Sequence, residues 1–219
     1  MMNKEPSEKS VERGVWAALI TVVLVIAAAY LTQTLRRRSE DALASARLPV
    51  ISQVSDFVLT NHLGRNLRLS DLLGRVWVAD IIFTRCPGPC VQMTRSMNEI
   101  RNQFLGSDDV AWVSITADPD HDTPQVLKEY AAKWVEHPQN WHFLTGPKAA
   151  LTKISVDDLK LVVVEKDAME RTSAEDLFMH STKFVLLDRQ GRLRGVYEGT
   201  EKAGRESLVR DLRNLVAEH

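Results

Sequence analysis

Apolar positions fall along this chain in three kinds of pattern. The first is one unbroken run, residues 15–31, seventeen positions without a charge, or twenty-two counted from Gly14 to Leu35. A membrane-spanning helix needs about 20 residues at ~1.5 Å each. Trp16 and Tyr30 stand near the two ends of the run, where interfacial aromatics belong. The second pattern is the short dense block: residues 76–83, 110–116, 141–146, 161–164 and 183–187 read as buried strands. The third is helical spacing. Met93, Met97, Ile100 and Phe104 recur at steps of four, three and four. Val126, Leu127, Tyr130, Ala131 and Trp134 form a second apolar face behind Thr123-Pro124, an N-cap followed by the proline favoured at the first helical position. Leu208, Leu212, Leu215 and Val216 mark a closing helix over 205–217, and 148–154 predicts a short one. Residues 56–60 and 66–69 flank Asn61-His62-Leu63-Gly64 as a hairpin, and 70–74 reads as a helical turn closed by glycine. Asp188-Arg189-Gln190-Gly191 turns the last block into residues 192–197.

Four regions follow: a tail (1–14), a transmembrane helix (15–35), a polar Ala/Ser/Arg-rich linker (36–48) and a folded domain (49–219). Strands alternating with helices, then a hairpin and a helix, predict an α/β fold with a mixed sheet flanked by helices. A cleaved signal peptide is the competing reading of the apolar run. Ala44-Ser45-Ala46 resembles a cleavage site, but Arg36-Arg37-Arg38 separates it from the apolar core, which is the wrong layout. Lys4, Lys9 and Arg13 before the span balance Arg36, Arg37 and Arg38 after it, so the charges leave the orientation tied.

Composition narrows the function. A formal net charge of −1 and the absence of any basic-aromatic patch exclude a general nucleic-acid binder. Two cysteines in 219 residues cannot staple a scaffold; a lone close pair points to redox or metal chemistry. Both lie in Phe83-Thr84-Arg85-Cys86-Pro87-Gly88-Pro89-Cys90, between the strand at 76–83 and the helix that follows. That strand-to-helix turn is where α/β sheets place their chemistry. If Pro87 or Pro89 opens the helix, Cys86 and Cys90 face the same way, able to meet one metal ion or each other. A helix N-terminus favours the thiolate, the form that attacks disulfides and ligates soft Cu(I).

Two thiolates leave a metal site short of a ligand, most often a histidine. His62, His121, His137, His142, His180 and His219 are the candidates. His180 stands out, because it precedes the strand at 183–187 after a long polar stretch and can face a neighbouring strand-helix turn. The acidic loop Asp118-Pro119-Asp120-His121-Asp122 matches positions of a calcium loop with Glu129, but Thr123 occupies the position that needs glycine and Pro124 starts a helix. It reads as a solvated turn capping that helix.

These residues resemble the SCO/SenC family of membrane-anchored copper chaperones. The resemblance covers residues 50–216 and rests on Phe83-Thr84-x-Cys86-Pro87-x-x-x-Cys90-like spacing, Thr116-Ala117-Asp118-Pro119-x-x-Asp122-Thr123-Pro124, and His180-Ser181 before a strand ending in Asp188-x-x-Gly191. It implies a thioredoxin-like domain facing the periplasm or an equivalent space, held by a single N-terminal membrane helix. It implies one copper ion per chain, Cu(I) or Cu(II), on Cys86, Cys90 and His180, delivered to the dinuclear copper site of cytochrome c oxidase. It implies that Cys86 and Cys90 can form a disulfide. The expected partners are the copper-bearing oxidase subunit and proteins that donate copper or reduce thiols. The chain departs from the family pattern at Val91, where proline is usual, and at Pro89, where it is not. The resulting Cys86-Pro87-Gly88-Pro89-Cys90 resembles a thioredoxin Cys-Gly-Pro-Cys with one residue inserted. A carrier rather than an enzyme is the first reading. A thiol-disulfide oxidoreductase using Cys86 and Cys90 as its redox pair, to keep oxidase cysteines reduced, is the alternative. A two-Cys, one-His zinc site fits the same ligands equally well in principle, but an oxidising compartment and the family resemblance weigh against it.

Overall fold

The computed structural model describes residues 8–45, 48–86, 88–135, 140–161, 163–165 and 178–218. The chain divides into two compact units, Met1–Ser45 and Ala46–His219.

The first unit is one helix, α1 (Glu8–Ser45). Its stretch Leu19–Arg36 is long and apolar enough to cross a membrane. Leu19, Ile20, Val23, Leu24, Ile26 and Leu31 are all exposed, so this stretch is apolar around its circumference. The helix was expected to give way to a linker at residue 36, but it continues to Ser45. Arginine, alanine, leucine and glutamate over 36–45 are good helix formers, and extending an existing helix avoids the cost of nucleation.

The second unit carries β1 (Ser52–Gln53), β2 (Val58–Asn61), β3 (Asn66–Arg68), β4 (Val76–Ile82), α2 (Pro89–Asn102), β5 (Val110–Thr116), α3 (Pro124–Trp134), β6 (Trp141–Thr145), α4 (Lys148–Thr152), β7 (Val163–Glu165), β8 (Phe178–His180), β9 (Lys183–Leu187), β10 (Arg192–Glu198) and α5 (Lys202–Ala217). Eight strands form one mixed sheet in the order β1-β10-β9-β4-β5-β6-β2-β3. β4, β5 and β6 run parallel, and β9 lies antiparallel against β4 with Trp77 opposite Leu187 and Ala79 opposite Val185. Parallel strands buried on both faces read as continuous apolar runs, which is why 76–82 and 110–116 are buried at every position.

Three boundaries differ from the sequence pattern. Leu161 is a core residue rather than the start of a strand; β7 begins at Val163 and pairs with β8 in a separate two-stranded sheet. After α4 the chain makes a π turn, Lys153–Asp158, so the apolar spacing there is not α-helical. α5 starts at Lys202, three residues before the expected start, because Gly204 has weak helix propensity and conceals the first turn.

Side chains of β4 alternate between two cores. Val76, Val78 and Ile82 pack with Cys86, Cys90, Met93 and Met97, under α2, α3 and α5. Trp77, Ala79 and Ile81 pack on the opposite face with Leu69, Leu72, Leu151 and Ile154. By the period-2 alternation of a strand, Asp80 belongs to the cysteine side.

Candidate functional site

The β4–β5 ladder stays in parallel register from Val76 opposite Val110 to Ile82 opposite Thr116. The two chains therefore leave the sheet side by side at one end. After β4, the carbonyl of Phe83 accepts the N–H of Cys86 at 3.1 Å and closes a turn whose corners are Thr84 and Arg85. α2 starts at Pro89, with Gly88 as its N-cap. Cys86 therefore lies outside the helix and Cys90 at its second position. The pair still converges: the Cys90 backbone N–H donates to Cys86 Sγ at 3.4 Å, so the sulfur partners one of the helix's otherwise unbonded first N–H groups. Both cysteines are buried and neither is disulfide-bonded.

The helix N-terminus does not give Cys90 the lowered pKa the sequence led one to expect. Its thiol is pushed far above the ordinary value, first by burial, then by its hydrogen bond with Cys86 and by the charges of Cys86 and Asp80; a backbone hydrogen bond at Phe83 pulls the other way. Cys90 has no solvent exposure, and loss of hydration outweighs the partial charge of the first turn. Along α2, Thr94 and Tyr130 share a hydroxyl hydrogen bond at 2.9 Å beneath the pair.

The acidic loop after β5 is not the solvated turn that the sequence indicated. Asp118 and Asp122 are buried. Asp122 Oδ2 accepts the Thr84 N–H at 3.1 Å and Oδ1 accepts the Thr84 hydroxyl at 2.5 Å. Arg85 donates to Asp118 Oδ2 at 2.6 Å. Thr123 caps α3 as expected, accepting the Val126 N–H. Glu129 is hydrogen-bonded to Gln125 on the outside of α3, so the calcium pattern does not converge. Asp118, His121 and Asp122 have ligand atoms within 4.8 Å of one another, but both carboxylates are engaged with the cysteine turn.

Of the histidines, His62 accepts the Phe143 N–H at 3.3 Å, and burial lowers its pKa. His142 is held down to about 4, by burial first and then by Arg75, His62 and Arg65. Both stand on the β2–β6 side as structural residues. His121 Nδ1 lies 3.0 Å from Asp122 Oδ1. His137 and His219 lie outside the described residues. His180 ends β8 in register with Val163, and only its backbone is described. The polar stretch expected to be mobile, 167–178, lies outside the described residues up to 177. The two buried acids escaped the sequence reading because their signal is topological: only the parallel ladder brings residues 118–122 beside 84–86.

Comparison with known proteins places this arrangement. The SCO1/SenC family profile matches residues 48–217. An SCO1 protein homolog of Bacillus subtilis is 30% identical over 168 residues, covering 76% of this chain and 84% of that protein. A solved structure of BsSco, a member of the Sco family of cytochrome c oxidase assembly proteins in which a disulfide switch is identified, superposes with a TM-score of 0.67 at 28% identity, over 79% of this chain and 98% of that one. Arabidopsis thaliana ScoI, solved with copper bound, shares the fold at a TM-score of 0.61 and 20% identity, over 74% of this chain and 99% of that one. The fold is thioredoxin-like, and because the profile match takes in the cysteine turn, the acidic loop and the segment of His180 together, the chain belongs to the SCO1/SenC family.

Proposed function

We propose that this chain is a membrane-anchored copper carrier that loads the dinuclear copper site of cytochrome c oxidase. The stretch Leu19–Arg36 of α1 is its single span, and the domain over 49–219 faces the periplasm or an equivalent space. Cys86 and Cys90 supply two soft thiolates and His180 an imidazole, a donor set that suits both copper oxidation states. The observation that carries the reading is the convergence of the two sulfur-bearing residues, with Cys86 Sγ on the Cys90 N–H at 3.4 Å. The register supports the third ligand. β9 runs antiparallel to β4, so its first residues lie at the end of β4 from which the cysteine turn departs, and His180 stands three residues before Lys183. The copper-bound ScoI structure and the assembly role of BsSco point the same way.

The test is an anaerobic copper titration of the full chain in detergent, with reduced cysteines, beside its His180→Ala variant. One copper per chain is expected, with a Cu(II)–thiolate absorption band that the variant loses while it keeps Cu(I). Equal loss of both oxidation states sinks this division of roles. The hydrogen bond shared by the two cysteine side chains favours one second reading, a thiol-disulfide oxidoreductase cycling a Cys86–Cys90 disulfide to keep oxidase cysteines reduced. No stable copper, together with a rapidly exchanging disulfide that survives His180→Ala, selects it.

A further inference from the structure

The turn that presents Cys86 has two corner residues, and an acid from the neighbouring loop holds each. Asp122 is the inner anchor and has no solvent exposure. Its Oδ2 accepts from the Thr84 N–H at 3.1 Å and from the Thr116 hydroxyl at 2.5 Å. Its Oδ1 accepts from the Thr84 hydroxyl at 2.5 Å and lies 3.0 Å from His121 Nδ1. Asp118 is the outer anchor. It takes Arg85 Nη2 at 2.6 Å and Nε at 3.2 Å, and its own N–H donates to Thr116 Oγ1 at 3.0 Å.

A buried carboxylate is costly unless its lone pairs are satisfied. Here each oxygen of Asp122 takes one bond from Thr84, backbone on Oδ2 and side chain on Oδ1, two positions before Cys86, beside the contacts with Thr116 and His121. A brace that served the sheet alone has no need of Thr84, because the β4–β5 ladder already runs to Ile82 opposite Thr116 and Ala117 N–H bonds Ile82 O at 2.8 Å. Cys90 is fixed by α2. Cys86 lies outside the helix, and the turn closed by the Phe83 carbonyl is what places it.

We propose that Asp122 is the positioning residue of the cysteine site, holding the Cys86 turn through Thr84 so that the two sulfurs are preorganised for a shared metal ion or for each other. For the metal the inference rests on the copper reading above; for the disulfide it stands without it. Residues that orient metal ligands from behind typically carry about 10–100-fold in metal affinity. Asp122→Asn keeps the shape but removes the charge and one acceptor: its amide nitrogen either confronts the Thr84 N–H at the Oδ2 place or takes from the Thr84 hydroxyl its acceptor at the Oδ1 place.

The experiment uses the full chain in detergent, with wild type, Asp122→Asn, Thr84→Val and Arg194→Met. Arg194 lies on β10, two strands from β4, bonded to the Leu48 carbonyl and to Asp188 at the end of the sheet away from the cysteine turn, and serves as the destabilised control. Two quantities are read: Cu(I) affinity by competition with a chromophoric chelator, and the dithiol–disulfide equilibrium in glutathione buffers. Asp122→Asn is expected to weaken Cu(I) about 10–100-fold and to shift the disulfide equilibrium at least about tenfold, ~30 mV. Thr84→Val, which keeps the Thr84 N–H and folds if Asp122→Asn does not, moves both in the same direction by less. Arg194→Met lowers the melting temperature and moves neither. Wild-type values in both Asp122→Asn and Thr84→Val, or equal shifts in Arg194→Met, overturn the proposal. If the wild type holds no copper, the carrier reading fails by itself, and the disulfide equilibrium still decides the role of Asp122.

Discussion

The two cysteines are chemically unequal, and alkylation will show it. Cys86 is 7% exposed and Cys90 is 0% exposed. A thiol reacts as its thiolate, so its rate follows access multiplied by thiolate fraction. Burial, with the Cys86 hydrogen bond, holds the Cys90 thiol far above its ordinary value, and each pKa unit removes about tenfold of thiolate near neutral pH. Reduced full-length protein treated with iodoacetamide at pH 7.5, quenched over time, digested and mapped by mass spectrometry is expected to carry label on Cys86 at least about ten times sooner than on Cys90. In urea the difference should vanish, since it belongs to the fold and not to the local sequence. Equal native rates would refute the inequality of the two thiols.

Three further outcomes follow from the packing. Arg194→Met removes the Asp188 contact at 2.9 Å and both donors to Leu48 O, but leaves Asp188 its Arg192 and backbone partners. The loss should be about 2–4 kcal/mol, at the lower side of breaking a buried pair, read as a melting point about 5–15 °C lower by near-UV circular dichroism. His142, held at about 4 against an ordinary 6.5, stays neutral in the fold while the unfolded chain takes up a proton below 6.5. Its contribution is whole above pH 6.5 and fades as pH falls toward 4. Unfolding free energies from urea titrations at pH 7 and pH 5 should differ by about 1–2 kcal/mol, a difference that His142→Gln reduces. Gly204→Ala, which in an open helix gains up to about 1 kcal/mol, should instead cost about 2 kcal/mol in chemical denaturation, because the new Cβ falls 2.2 Å from the Glu198 carbonyl oxygen; a stabilised variant would show that the close approach of β10 and α5 is wrong.

Much of the fold was legible because its central strands are buried on both faces. The residues of β4, β5, β6 and β9 announce themselves as short apolar blocks, and Thr123-Pro124 sets the start of α3. The cysteine pair was legible for the same reason: it interrupts such a block at a strand-to-helix turn. What was not legible is the pairing of distant polar residues. Asp118 and Asp122 carry the pattern of a solvated cap, and nothing local distinguishes an acid that faces water from one that faces Thr84. The thiol of Cys90 misleads in the same way. Its helix position argues for a thiolate, whereas complete burial, a tertiary property, decides for the thiol. The same holds for α1, whose polar C-terminal third has no apolar face yet continues the helix begun by the span.

The two departures from the family pattern bear on which side of the site this chain has altered. Pro89 stands at the first position of α2, where a missing N–H costs nothing because that group has no helical acceptor, and its ring presets the helical φ. Val91 follows Cys90 within the same first turn and is only half-buried. Both changes therefore fall on the helical wall of the site, in backbone that adopts its conformation with either residue. The opposite wall is made by Phe83, whose carbonyl closes the turn, by Thr84, and by the Asp122 carboxylate that grips it. Cys86 takes its position from that second wall and Cys90 from the rigid helix. The departures thus change the surface that a partner meets around Cys90 while the spacing of the two sulfurs stays with the strand, the turn and the acid behind it.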